Sequence, residues 1–178
     1  MKNKDIDALD VVETTGFKLI GGIESMEINL PPKEMIVQEI IGKHKIIALS
    51  ADTNVGKSIW AHQLGIAVAV GKSNIFGYPI SGSKRVLFLN FEMDEYELIE
   101  RQQLLINALP TQYRELLDNF QINTFEGKRT LFQDNWDAIE QTIRNNDAFD
   151  LIIVDNMYAC TGIDDEKNAD LKPMLAKI

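Results

Sequence analysis

Three stretches of the chain are apolar almost without a break over the length of a strand: Ile46-Ile47-Ala48-Leu49, Val86-Leu87-Phe88-Leu89-Asn90-Phe91 and Leu151-Ile152-Ile153-Val154-Asp155. A fourth, Phe120-Gln121-Ile122-Asn123-Thr124-Phe125, carries its apolar residues more sparsely. Continuous runs of this length predict strands covered on both faces. Between them the spacing changes. From Lys57 onward Ile59, Trp60, Leu64, Ala67 and Val68 recur at helical intervals, with Gly71 placed to stop the helix. Asp94 and Glu97 are spaced as a capping box, opening a helix with Leu98, Leu105 and Leu109 that Pro110 ends. Asp134 is placed to cap a third helix, with Trp136, Ile139 and Ile143 along one face. Such alternation predicts an α/β fold, a mostly parallel sheet with helices on both faces. Ligands of such sheets sit at the C-terminal ends of the strands.

The ends of the chain read differently. Residues 1–30 are weakly periodic and broken by Gly21-Gly22, with Pro31-Pro32 after them, so they predict a loosely ordered lead-in to a domain over 31–178. Glu34 to Ile41 fits a short helix or a strand equally well. At the other end Leu171 to Ile178 has a helical pattern with no terminating signal, which predicts a core cut short at its C-terminus. The chain shows no internal repeat and no low-complexity tract.

Composition narrows the classes. With 178 residues, 45% of them hydrophobic, the chain can bury one core and is short for two. A formal net charge of −9 leaves no global basic field to draw it onto nucleic acid or anionic lipid, so any DNA contact must be local. A lone cysteine, Cys160, excludes an internal disulfide and a cysteine-based zinc site, which fits a reducing compartment. The N-terminus has no apolar leader segment, and no apolar run reaches the roughly 18 residues of a membrane span. The expectation is a cytoplasmic protein with no membrane partner.

The chemistry is concentrated after the first apolar run. Ala51-Asp52-Thr53-Asn54-Val55-Gly56-Lys57-Ser58 matches the phosphate-cradling pattern G-x-x-x-x-G-K-[ST] except at its first glycine, where Ala51 stands. A methyl group is tolerated there if φ is negative. A triphosphate needs inward backbone N–H groups, a helix N-terminus beneath it, an ammonium and a hydroxyl for magnesium. Thr53, Asn54, Val55, Gly56, Lys57 and Ser58, with Ile59 just inside the helix, are therefore the candidate nucleotide contacts. Lys57 is placed for the β- and γ-phosphates and Ser58 for Mg²⁺.

Asp155 ends a buried apolar strand, where a carboxylate either meets a cation or a hydrogen-bond network or is an ordinary solvated aspartate in the turn; with the cradle upstream it is the second candidate metal ligand. Hydrolysis of a triphosphate would also need a base for the attacking water, and where many P-loop ATPases carry a glutamate after the strand-end acid this chain has Asn156. Glu92, just past the strand Val86–Phe91, is the candidate, although an acid at a helix start is also favoured by the macrodipole. His62, one turn past Ser58, has no ligand partner at suitable spacing and reads as a packed helix residue. Trp60 and Trp136 read as core, and the rings of Phe76-Gly77-Tyr78-Pro79 as cover for a sheet edge.

Ala51–Ser58, the strand ending Asn90-Phe91-Glu92-Met93 and Asp150–Asp155 stand in the order and spacing of the RecA-like ATPases. The chain most resembles the DnaB-type and RepA-type replicative helicases and related AAA-family ATPases of plasmids, phages and mobile elements. The resemblance implies ATP and Mg²⁺ as cofactors, Glu92 as catalytic glutamate with Lys57, and Mg²⁺ on Ser58 and Asp155. It further implies that Arg101 stacks on adenine; a surface pair with Glu97 is the plain alternative. It implies an ATPase that powers DNA replication, unwinding or mobilisation as a homo-oligomeric ring, with single-stranded DNA as a partner. The acidic stretch Gly162 to Asn168 argues against a phosphate contact there. The resemblance leads one to expect a finger arginine beyond Ile178, and slow hydrolysis without it. The alternative role is a regulatory or recombination-mediator module using ATP as an assembly switch. A small-molecule kinase is disfavoured, since no lid-like arginine cluster follows the cradle.

Overall fold

The computed structural model describes residues 19–123, 132–146 and 148–156. The chain divides into two compact units, Met1–Lys33 and Glu34–Ile178. In the first, helix α1 (Gly22–Glu27) has the Gly21 N–H donating to the Glu24 carboxylate at its start, and its Ile23 and Met26 are exposed.

The second unit opens with strands β1 (Met35–Val37) and β2 (Ile41–Gly42), paired antiparallel. That settles as strand a segment whose pattern fits either element. Helix α2 (Lys57–Ala69) forms as its spacing predicts and ends at Val70, followed by Gly71 at φ +62°. Strands β3 (Asn74–Ile75) and β4 (Tyr78–Pro79) make a tight hairpin whose Phe76 ring stacks on Trp60 at 5.7 Å. The Phe76 ring thus covers the flank of α2, while the end of the hairpin runs along β1, with Pro79 O accepting the Gln38 N–H at 2.8 Å. Strand β5 (Val86–Asn90) leads to α3 (Glu95–Asn107), where Asp94 caps the first turn by accepting the Glu97 N–H at 2.8 Å. A 3₁₀ helix (Thr111–Asn119), β6 (Phe120–Asn123), α4 (Phe132–Asn145) and β7 (Leu151–Asp155) complete the order.

Strands β6, β5 and β7 form a parallel sheet in that spatial order, with β5 central. The predicted α/β class therefore holds. Every residue of β5 is buried because alternate side chains enter different cores: Val86 and Phe88 join α2, while Leu87 and Leu89 pack with Ile139 of α4. Both faces being filled, the strand reads as one apolar run.

Two expectations fail. The run Ile46 to Ser50 forms no strand, and Ile46, Ile47 and Leu49 are 62%, 50% and 52% exposed. An apolar run states a preference for burial; it becomes strand only where an edge accepts its hydrogen bonds. Among the described residues β7 pairs with β5 alone, so its outer edge is open, but the run Ile46 to Ser50 makes no ladder with it. Asp134 is not a cap either. It lies at the third position of α4, where an acid is also favoured by the dipole, so spacing alone does not separate the two places. Thr124, Phe125, the side chain of Trp136 and everything from Met157 to Ile178, including Cys160, the acidic stretch and the terminal helical pattern, lie outside the described residues.

Two close packings seat α2 on the sheet. Gly65 lies so near the strands that an added Cβ would come 2.6 Å from a ring carbon of Phe120 and 3.1 Å from Ile153 Cδ1. His62 is fully buried, its ring 4.8 Å from that of Phe88 and 5.3 Å from that of Phe120, and neither ring nitrogen has a hydrogen-bond partner among the described residues. Burial, and secondarily the Arg101 charge, push its pKa down to about 4. The ring is neutral at pH 7.

Gly65→Ala is expected to lower stability by about 1 kcal/mol in urea titration, because overpacking of about 1–3 kcal/mol exceeds the helix-propensity gain. For His62 the folded state resists protonation that the unfolded chain accepts near pH 6.5, so stability is complete above that pH and is lost as pH falls from 6.5 towards 4. The parent should lose about 3 kcal/mol more than His62→Phe between pH 7 and pH 4, read from denaturant midpoints at each pH.

Candidate active site

The cradle is built from a loop and the helix that follows it. Gly56 caps α2 at φ +90°, a backbone conformation few L residues accept; an added Cβ would meet nothing within 4 Å, so conformation alone requires glycine. Asn54 also takes a left-handed conformation, at φ +61°, which asparagine tolerates better than most residues. Ala51 is not among the residues with positive φ, so the methyl group in place of the first glycine is sterically harmless. Thr53, Asn54 and Val55 are exposed on the turn, and Ile59 is exposed on the first turn of α2.

Lys57 folds back into this loop. Its ammonium donates to the carbonyls of Ala51 at 2.8 Å and Asp52 at 2.6 Å. The positive charge therefore sits in the mouth of the loop, beside the N–H groups of the α2 N-terminus.

Ser58 and Asp155, 97 residues apart, meet across the end of the sheet: Ser58 Oγ donates to Asp155 Oδ1 at 3.1 Å. Asp155 is only 7% exposed, and its other oxygen, Oδ2, is buried without a hydrogen-bond partner among the described residues. Burial pushes the Asp155 carboxyl up, opposed by the Ser58 hydrogen bond; the Glu92 charge raises it further, while Arg101 and Lys57 lower it. An orphaned carboxylate oxygen beside a hydroxyl is a donor set suited to a small hard cation such as Mg²⁺. The residues fit the metal.

Glu92 emerges beside them. Strands β5 and β7 pair with Asn90 opposite Asp155, and the Phe91 N–H donates to the Asp155 carbonyl at 2.7 Å. The turn carrying Glu92 is tied by Asn90, whose buried side chain donates to Met93 O at 2.6 Å and accepts the N–H groups of Met93 at 3.1 Å and Glu92 at 3.4 Å. The Glu92 carboxylate is exposed and accepts a hydrogen bond from the Asn156 amide.

Arg101 lies half-buried on α3, where its charge reaches both His62 and Asp155. With Ile59, Glu97, Glu100, Leu104 and Leu105 it lines an open cavity of about 430 Å³. Among the described residues no ion pair joins it to Glu97. The structure thus gathers Lys57, Ser58, Glu92 and Asp155 at one edge, with Arg101 and Ile59 on an adjoining cavity. Asn90 and Asn156 are polar anchors that sequence reasoning passed over. The one signal for Asn90 is a polar residue closing an otherwise apolar strand. For Asn156 it is an amide directly after the strand-end acid.

Residues 22–178 match the family model of the AAA domain. The chain belongs to the AAA domain family. No curated protein matches it. An AAA domain is a nucleotide-binding P-loop ATPase domain, and the parallel sheet with its helices fits that core. Among the described residues of this AAA domain no helix is long and apolar enough to cross a membrane.

A buried acid held partly against its preference costs stability. Because the folded state disfavours the charged form of Asp155, Asp155→Asn is expected to melt above the parent at pH 7 in metal-free buffer. The gap should narrow as pH falls and the parent carboxyl takes up its proton, which thermal melts across pH will check.

Proposed function

We propose that this AAA domain binds ATP·Mg²⁺ and hydrolyses it, with Lys57 on the β- and γ-phosphates, Ser58 and Asp155 holding the metal, and Glu92 activating water. The Ser58–Asp155 hydrogen bond carries the reading, because it joins the cradle and a strand-end acid at one point through residues 97 positions apart. Bound Mg²⁺ supplies charge neutralisation for the phosphates. The protein supplies the rest. The N–H groups of Thr53 to Ser58 orient the phosphate chain, and the cavity beside Ile59 and Arg101 receives the base, the guanidinium lying on its face. Glu92 takes a proton from water as the water oxygen bonds to the γ-phosphorus. The bond to the bridging oxygen breaks, and ADP leaves with that electron pair.

The wider role follows from the likeness to DnaB- and RepA-type helicases: a cytoplasmic motor acting on single-stranded DNA as a ring of identical chains, its catalytic unit in residues 31–178 and residues 1–30 as a lead-in. The acidic balance of the chain confines such a contact to a local surface.

Calorimetry and phosphate release test both levels. Lys57→Ala should weaken ATP·Mg²⁺ binding at least about 10-fold. Glu92→Gln should bind normally and lose about 100-fold or more in turnover. Hydrolysis by Glu92→Gln at the parent's rate would refute the assignment of the base. Turnover that single-stranded DNA leaves unchanged would refute the motor while leaving the ATPase intact.

A further inference from the structure

Asn90 lies opposite Asp155 in the β5–β7 ladder, so the residues just beyond, Glu92 on one side and Asn156 on the other, leave the sheet as neighbours. There the Asn156 Nδ2–H donates to Glu92 Oε2. We propose that Asn156 is a positioning residue for Glu92: its amide holds one carboxylate oxygen and leaves Oε1 as the acceptor for the attacking water. This rests on the reading of Glu92 as the water-activating group.

Three observations support it. The backbone of Glu92 is already fixed by Asn90, which engages both Glu92 and Met93 in the turn, so only the side-chain torsions remain to be set. An exposed glutamate otherwise samples many rotamers, few of which point at a reacting atom, and ordering it beforehand removes that loss from the catalytic step. The donor is also of a suited kind. A lysine or arginine here would offset the negative charge that makes Glu92 a base, whereas a neutral amide orients the carboxylate and leaves its charge in place. Finally, Asn156 is bonded directly to Asp155, whose Oδ1 accepts from Ser58. The end of β7 thereby carries the metal-side carboxylate and the clamp on the base in consecutive residues. A shift of that strand end moves the two together.

The test is single-turnover hydrolysis of labelled ATP with protein in excess, for the parent and for Asn156→Ala, Asn156→Asp, Asn156→Gln and Glu92→Gln. Thermal melts and the ATP·Mg²⁺ dissociation constant are measured alongside. Asn156→Ala and the near-isosteric Asn156→Asp, which cannot donate when ionised, should each slow the step about 10-fold or more. Binding should stay within about twofold and melting should be unchanged. Asn156→Gln, which keeps the donor, should recover part of the rate. In the Glu92→Gln background Asn156→Ala should have no further effect, since the two residues act as one unit. Parent-like rates in both Asn156→Ala and Asn156→Asp, with Glu92→Gln severely slowed, would overturn this inference alone. So would a parent-like rate in Asn156→Asp with loss only in Asn156→Ala, because that pattern means shape rather than donation. A parent-like rate in Glu92→Gln would overturn the reading of Glu92 itself.

Discussion

When β5 pairs with β7 in parallel, Asn90 falls opposite Asp155, and that one register decides which polar groups meet beyond the sheet. A slip of a single residue would turn Asp155 to the opposite face and carry it away from Ser58. The register is protected by packing, because β5 is covered on both sides and its alternate residues fill different cores. Phe88 must meet the underside of α2 while Leu89 meets α4. The apolar interior therefore fixes the polar site without contributing an atom to it.

Helix α2 is the other half of that arrangement. Its first turn carries Lys57 and Ser58, so its seat on the sheet sets the distance from the ammonium and hydroxyl to Asp155. Gly65 allows close approach, and His62 fills the space between Phe88 and Phe120 with a neutral imidazole. Two groups here, His62 and Asp155, are buried against the preference of their charged forms. Such groups reduce the stability of a fold, and both lie within reach of the Arg101 charge. The region around the cradle is thus less stable than an all-apolar packing of the same volume would be.

Much of this was visible in the order of residues. Strand β5 announces itself because both its faces are packed, β7 by an apolar run that is only partly buried, and α2 and α3 because their apolar residues keep helical spacing and their ends carry Gly71 and Asp94. The cradle was legible from Gly56-Lys57-Ser58 in front of a helix, and Glu92 and Asp155 from acids closing apolar runs. What escaped has physical causes. Ile46 to Leu49 has the composition of a strand, but pairing is a property of two segments and composition speaks for one. The β3–β4 hairpin is two residues a side, too short for any period to register. The roles of Asn90 and Asn156 depend on which residues face each other across a ladder, and an amide in isolation does not say what it will hold.

Lys57 ends up grasping the carbonyls of Ala51 and Asp52, its own loop. A newcomer must outcompete two neutral dipoles for that ammonium, and only an acceptor bearing full negative charge does so with a wide margin. For the proposed nucleotide site the consequence would be selection by charge ahead of shape, a nucleoside without phosphates having little with which to draw the lysine out of its loop.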